Sequence, residues 1–135
     1  MADDFGLKIG IEGEKEFKNA LRDINQSFKV LGSEMNLVAS QFDKQDRSVE
    51  AVTARNRVLN KEIDTQKEKI STLEQALANA ASSFGETDKR TQNWRIQLNN
   101  AQSELIKMER ELEGNNKALD NAGNEFNEAE KQADK

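Results

Sequence analysis

The sequence predicts an all-α protein: a long heptad-patterned coiled-coil helix or helical hairpin, preceded by a short N-terminal β-strand. Three observations predict this class. Apolar residues recur at alternating steps of four and three, the chain has no Pro in 135 residues, and Gly85 marks a strong helix break. Hydrophobic residues make up 35% of the chain and charged residues 33%, so the chain has too few apolar residues for a large compact core.

Residues 1–13 are predicted to form a short strand or arm. Apolar side chains alternate there with polar residues or glycine, which is the period of a strand with one apolar face, and Gly13 ends the pattern. One strand is not stable alone in water, so it must pair with another copy, another protein or a groove on the helices. A frayed tail is the alternative. The apolar positions are Phe5, Leu7, Ile9 and Ile11.

Residues 14–84 are predicted to form one long coiled-coil helix. From Phe17 to Ala129 the heptad frame has 33 seam positions, of which 27 are apolar, whereas chance would give about 12. Polar seam residues such as Asn56 and Gln66 are predicted to fix register and strand number. The assembly seam comprises Phe17, Leu21, Ile24, Phe28, Leu31, Met35, Val38, Phe42, Val49, Val52, Asn56, Leu59, Ile63, Gln66, Ile70, Leu73, Leu77, Phe84, Trp94, Leu98, Leu105 and Leu112.

One possible break in the long helix lies at residues 43–48. Gln45 interrupts the seam there, and Asp46 or Ser48 could cap a new helix. Because this segment contains neither Gly nor Pro, a continuous helix is favoured.

A second break is predicted at residues 85–88, where Gly85 would cap the long helix and Thr87 or Asp88 would cap the next. A second helix is predicted at 89–113. Like charges at its flanking positions disfavour parallel self-pairing of the last third and favour an antiparallel hairpin. Residues 114–135, rich in Gly and Asn, are predicted to be a weakly helical or frayed acidic tail.

The composition argues against most chemistry. The chain has no Cys and no His, which removes the commonest thiol nucleophile, general base and metal ligands. No enzyme activity, cofactor or metal site is predicted. The net charge of -5, without a basic stripe, argues against nucleic-acid binding. No signal peptide or membrane span is expected, so we expect a soluble protein made in a cytosol.

Several stretches resemble a known family. They are Leu-Lys-Ile-Gly-Ile-Glu-Gly-Glu-Lys-Glu-Phe-Lys at 7–18, Gly-Ser-Glu-Met at 32–35, Leu-Val-Ala-Ser-Gln-Phe-Asp at 37–43, and Ala-Ala-Ser-Ser-Phe-Gly-Glu-Thr-Asp-Lys-Arg-Thr-Gln-Asn-Trp at 80–94. Together they resemble the N-terminal region of phage tail tape measure proteins, over roughly residues 7–113.

The resemblance implies a structural protein of a phage, prophage or tailocin tail that sets tail length in the tube lumen. It implies a location in the host cytoplasm during assembly and in the virion tail lumen afterwards. Expected partners are other copies in a coiled-coil oligomer and tail proteins such as the tube or a tail-assembly chaperone.

Length is the departure from the family. One helix of 135 residues would reach only about 200 Å, whereas tape measure proteins are usually several times longer. Either the chain is an N-terminal fragment or its function is something other than setting tail length. An intracellular helical adaptor or chaperone-like binding module is the alternative function.

Overall fold

Three helices form the described part of the protein. The structure, a computed structural model, describes the backbone of residues 13–133 and the side chains of residues 13–121. Helices α1 (Glu14–Gln41), α2 (Val49–Phe84) and α3 (Lys89–Ala133) contain 28, 36 and 45 residues. They hold 109 of the 121 residues with a described backbone, and none of these residues lies in a strand. The predicted all-α class is confirmed.

The predicted N-terminal strand falls almost entirely outside the described residues, which begin at Gly13. Gly13 is buried and has a helical backbone, with φ -61° and ψ -41°. Helix α1 then starts at Glu14, with Glu14 and Glu16 in its first turn. Carboxylates stabilise this end of a helix because its unpaired N–H groups carry partial positive charge.

The helices run antiparallel in sequence order, and α1 and α3 both pack against α2. The Lys61 Nζ lies 3.5 Å from the Glu34 Oε2, and the Lys69 Nζ lies 3.4 Å from the Asn25 Oδ1. Residue numbers rise along α2 while they fall along α1 in these pairs. The bond from Asn56 to Asn116, together with that from Gln66 to Ala101, gives the same result for α2 and α3.

The prediction of a continuous helix through residues 43–48 is wrong. Helix α1 ends at Gln41, and Phe42 has an extended backbone with φ -134° and ψ 138°. The Asp46 Oδ1 accepts from the Ser48 backbone N–H at 2.8 Å, and the Ser48 Oγ accepts from the Ala51 N–H at 3.2 Å. These short polar side chains satisfy the free N–H groups at the start of α2, so no Gly or Pro is needed to end α1.

The second turn occupies the predicted residues 85–88. Helix α2 ends at Phe84, the Gly85 N–H donates to the Ala81 carbonyl at 3.0 Å, and α3 begins at Lys89. The predicted antiparallel hairpin is the arrangement of α2 and α3.

Helix α3 does not stop near Glu113 as predicted but continues to Ala133. Residues 114–121 still have α2 beside them, because Asn56 near the start of α2 bonds to Asn116, and Asn115 and Leu119 are half-buried. Contact with a neighbouring helix offsets the low helix propensity of Gly and Asn, which is at most about 1 kcal/mol per residue.

Candidate assembly seam

The predicted seam lies inside the chain. Of its 22 residues, all but Val49 are buried or half-buried by contacts between α1, α2 and α3. Val49 is the first residue of α2 and is 52% exposed. The apolar periodicity therefore supplies the core of a folded-back chain, and pairing of the seam with another copy stays a prediction.

All three helices meet in one apolar cluster near the 85–88 turn. Leu73 is fully buried at its centre, and Trp94 is 3% exposed. Burying side chains of this size contributes roughly 1.5–3 kcal/mol each. The buried members are Leu21 and Ile24 from α1, Ile70, Leu73, Ala76 and Ala80 from α2, and Trp94, Leu98 and Ala101 from α3.

A second apolar cluster joins α1 to α2 near the other turn. Leu31 and Val38 of α1 pack with Val58 of α2, and Met35 and Phe42 lie against them. Val58 was not a predicted seam residue. It belongs to a separate stripe on α2 that faces α1.

This stripe of α2 is rich in small residues. Lys61 and Lys69, which lie on the same stripe, reach across to Glu34 and Asn25 on α1. Thr65 and Thr72 return their hydroxyls to backbone carbonyls four residues earlier. The four apolar members are Ala51, Ala54, Val58 and Ala76. The residues of this stripe recur at steps of three and four, as on one face of a helix. Because few of them are strongly hydrophobic, a second packing face was not predicted from the sequence.

Polar seam residues find partners on α3. The Gln66 Nε2 donates to the Ala101 carbonyl at 2.8 Å, and Gln66 is 3% exposed. The Asn56 Nδ2 donates to the Asn116 Oδ1 at 3.2 Å. The Asn56 Oδ1 is buried and accepts no hydrogen bond within the described part of the chain. Each of these two side-chain amides therefore helps to fix the register in which α2 packs against α3.

A dense set of contacts closes the 85–88 turn. Thr91, fully buried, donates its hydroxyl to the Gly85 carbonyl at 2.7 Å. The Arg90 guanidinium lies 3.5 Å from the centre of the Phe84 ring. Arg90 also bonds to Asp88 through its side chain and its backbone N–H, and these bonds lower the pKa of Asp88 to about 2. Asp88, one of the two predicted caps, therefore caps α3.

Arg55 stabilises the turn between α1 and α2, a role that was not predicted from the sequence. Its Nη1 donates to the Asp46 carbonyl and its Nη2 to the Asp43 carbonyl, both at 2.6 Å. The flat guanidinium presents its N–H groups in a fixed fork, which suits two carbonyls of one turn. No pattern in the sequence marks an Arg that bonds nine and twelve residues back.

An open groove runs between α1 and α3. Toward the 85–88 turn it has a volume of about 440 Å³, with Leu21 and Trp94 among its walls. Its charged lining residues there are Lys18, Arg22 and Lys29, with no carboxylate. Lys18 has an ion pair with Glu14 on its own helix, at 3.5 Å. This part of the groove is cationic in a chain of net charge -5.

Further along the groove, α2 forms the floor. Phe28 and Met108 line the walls there, and the Lys69 Nζ lies 5.8 Å from the centre of the Phe28 ring. Beyond that point, Glu62 of α2 and Glu111 of α3 are close enough to repel. Burial, together with this neighbouring carboxylate, raises the pKa of Glu62.

Among the described residues, no group of three or more His, Cys, Asp or Glu side chains could hold a metal ion. Nor does any described helix combine the length and apolar character that a membrane crossing requires. In class, the described chain is an all-α protein of three antiparallel helices. No protein-family model, curated protein or solved structure matches this chain.

Proposed function

We propose that the chain is a structural component of a phage tail, related in role to the N-terminal part of a tape measure protein. The observation that carries the proposal is the resemblance over residues 7–113. Its most extensive stretch, 80–94, holds Gly85, Thr91 and Trp94, which close the α2–α3 hairpin. The feature shared with the family would then be a helical hairpin.

The folded-back shape bears on how such a component would act. Helix α3, the longest, has 45 residues and a length of about 68 Å at 1.5 Å per residue. A three-helix chain of this length would occupy a short part of a tail and offer its charged outer faces to tube or chaperone proteins. We therefore propose that these three helices act as an assembly module.

The test uses the phage or prophage that encodes the chain. Tails would be purified, the chain sought in them by mass spectrometry, and tail length measured by electron microscopy. The Leu73→Asp variant places a carboxylate at a fully buried site and should abolish tails or alter their length. The Glu74→Gln variant changes the adjacent exposed residue and should leave tails normal. Normal tails that lack the chain would refute the proposal.

A helical adaptor or chaperone-like module is the second candidate function, and the cationic part of the groove between α1 and α3 favours it. An acidic amphipathic helix would complement Arg22 and Lys29 in this part of the groove. Under this function, Arg22→Glu with Lys29→Glu should abolish binding of the partner helix. The same double variant should leave the length and number of tails unchanged, which separates the two functions.

A further inference from the structure

The turn between α1 and α2 contains no residue that would prevent it from becoming helical. We call residues 42–48 the hinge; it contains neither Gly nor Pro. The seam also keeps its register across it, because Val38, Phe42, Gln45, Val49 and Val52 follow one another at steps of four and three. If the hinge became helical, the seams of α1 and α2 would join in one heptad frame, with the polar Gln45 at the junction.

Few contacts hold the hinge in its folded-back form. They are the two bonds from Arg55 to the carbonyls of Asp43 and Asp46, the caps made by Asp46 and Ser48, the bond from the Asp46 N–H to the Asp43 carbonyl, and the packing of Phe42 against the α1–α2 apolar cluster. Asp43 and Ser48 are exposed to water, whereas Asp46 and Arg55 are half-buried. A helical hinge would lose them but would satisfy the last carbonyls of α1 and the first N–H groups of α2 by ordinary helix hydrogen bonds.

If the hinge becomes helical, the buried face of α1 must find a new partner. Leu21, Ile24, Leu31 and Val38 are each 9% exposed or less because they pack on α2 and α3. A chain with a straight hinge would carry this face away from its own α2 and expose it to water. The identical binding site on a second copy would restore every one of these contacts, since only the hinge differs between the two forms.

We propose that the hinge opens into a continuous helix and that two copies then exchange their α1 helices to form a domain-swapped dimer. The occupant of the exposed α1 site is thus the α1 helix of a second copy of this chain. The proposal stands apart from the phage-tail function, because it depends only on the hinge and on the α1 interface. Dimer should increase with protein concentration, as the intrachain and interchain contacts compete.

Two variants should shift the balance in opposite directions. In the folded-back form the Asp46 N–H donates to the Asp43 carbonyl at 2.9 Å, which makes Lys44 the second residue of a four-residue turn. Pro is favoured at that position but breaks a helix interior, so Lys44→Pro should suppress the dimer. Arg55→Gln removes the two bonds that hold the turn and should raise the dimer fraction several-fold. Arg57→Gln, an exposed change on the same helix, is the control and should match the wild type.

The intrachain distance between residues 34 and 61 reports the state of the hinge. The side chains of Glu34 and Lys61 are 3.5 Å apart in the folded-back form, whereas a continuous helix would separate these positions by about 40 Å. The chain has no Cys, so Glu34→Cys with Lys61→Cys allows spin labels at those positions alone. Diluting the labelled chain with unlabelled wild type leaves only intrachain distances.

We expect light scattering to show a dimer that grows with concentration, and pulsed electron paramagnetic resonance to show a population near the longer distance in that dimer. Lys44→Pro should remove both signals while keeping the wild-type circular dichroism. A chain that stays monomeric with only the short distance at every concentration would overturn the proposal. A dimer that keeps the short distance would overturn it too, because such a dimer would form through another surface. If Lys44→Pro fails to fold, the wild-type distances still decide.

Discussion

At the scale of single residues, Gly85 has a backbone that other residues rarely adopt. Its φ of 94° and ψ of 158° lie outside the left-handed helical conformation in which Gly commonly ends a helix. This region of backbone space is used almost only by Gly. An added Cβ would meet no atom within 4 Å, so the penalty for another residue would come from the backbone alone.

Replacing Gly85 by Ala should lower the free energy of unfolding by about 1–3 kcal/mol, which is the usual strain of such a conformation. Gly32→Ala is the matched control, because Gly32 lies inside α1 and also has open space around it. There Ala should raise the free energy of unfolding by up to about 1 kcal/mol. Urea denaturation followed by circular dichroism measures both changes. Effects of the same sign would contradict this account of Gly85.

Asn56 is a second residue for which the structure predicts the direction of change in the free energy of unfolding. It is 7% exposed, and its buried Oδ1 accepts no hydrogen bond within the described residues. Asn56→Leu removes that acceptor and leaves the exposed Asn116 amide to water, so it should raise the free energy of unfolding by about 1 kcal/mol. Asn116→Ala should lower it, because the Asn56 Nδ2 would lose its partner. Opposite signs in a urea titration are expected, and a destabilising Asn56→Leu would contradict the argument.

At the scale of helices, the α2–α3 interface contains an unfavourable pair, Glu62 and Glu111. The pKa of Glu62 is raised in the folded chain above its ordinary value of 4.5. The folded state therefore favours the protonated carboxyl, and this contribution to stability is lost as the pH rises through the folded pKa.

Glu62→Gln should consequently raise the melting temperature at neutral pH, with an effect that shrinks as the pH falls through the raised pKa of Glu62 and is lost below 4.5. Glu68→Gln changes an exposed residue of the same helix and serves as the control. Melting curves across this pH range measure the difference between the two variants. An equal gain for Glu68→Gln would assign the effect to net charge and not to the interface.

The start of α3 should respond to pH in the opposite direction. Hydrogen bonds from Arg90 lower the pKa of Asp88 from 3.8 to about 2, so the cap stabilises the fold above 3.8 and loses its effect as the pH falls through about 2. Asp88→Asn should lower the melting temperature at neutral pH and match the wild type near pH 2. A difference that persists at the lowest pH would show that charge is not the cause.

At the scale of the whole molecule, the cluster around Trp94 draws residues from all three helices. Loss of any one helix would expose part of that cluster, so the described residues should unfold as one cooperative unit. Trp94 is the only Trp in the chain, so its fluorescence reports this cluster alone, whereas circular dichroism reports all helices. The two urea transitions should coincide. Earlier loss of helical signal than of Trp94 fluorescence would show that a helix unfolds separately.

Much of this architecture was predictable, because the helices depend on local patterns. The seam gave the helical period, Glu14 fell at the start of α1, and Gly85 marked the α2–α3 turn. The break at 42–48 could be located but its occurrence could not be decided. Capping by Asp46 and Ser48 competes locally with a continuous helix, and the folded-back form is also held by contacts distant in sequence: the bonds of Arg55 and the packing of Leu31 and Val38 on Val58.

The sequence by itself determined that the chain is helical and which residues form its apolar seam. Only the tertiary structure decided what the seam packs against, because a heptad repeat fits a helix of the same chain as well as one from another copy. It also revealed the second stripe on α2, where Ala54 and Val58 pack with Leu31 and Val38 of α1. Small side chains are barely hydrophobic alone, and they become a binding face only when another helix lies close enough to cover them.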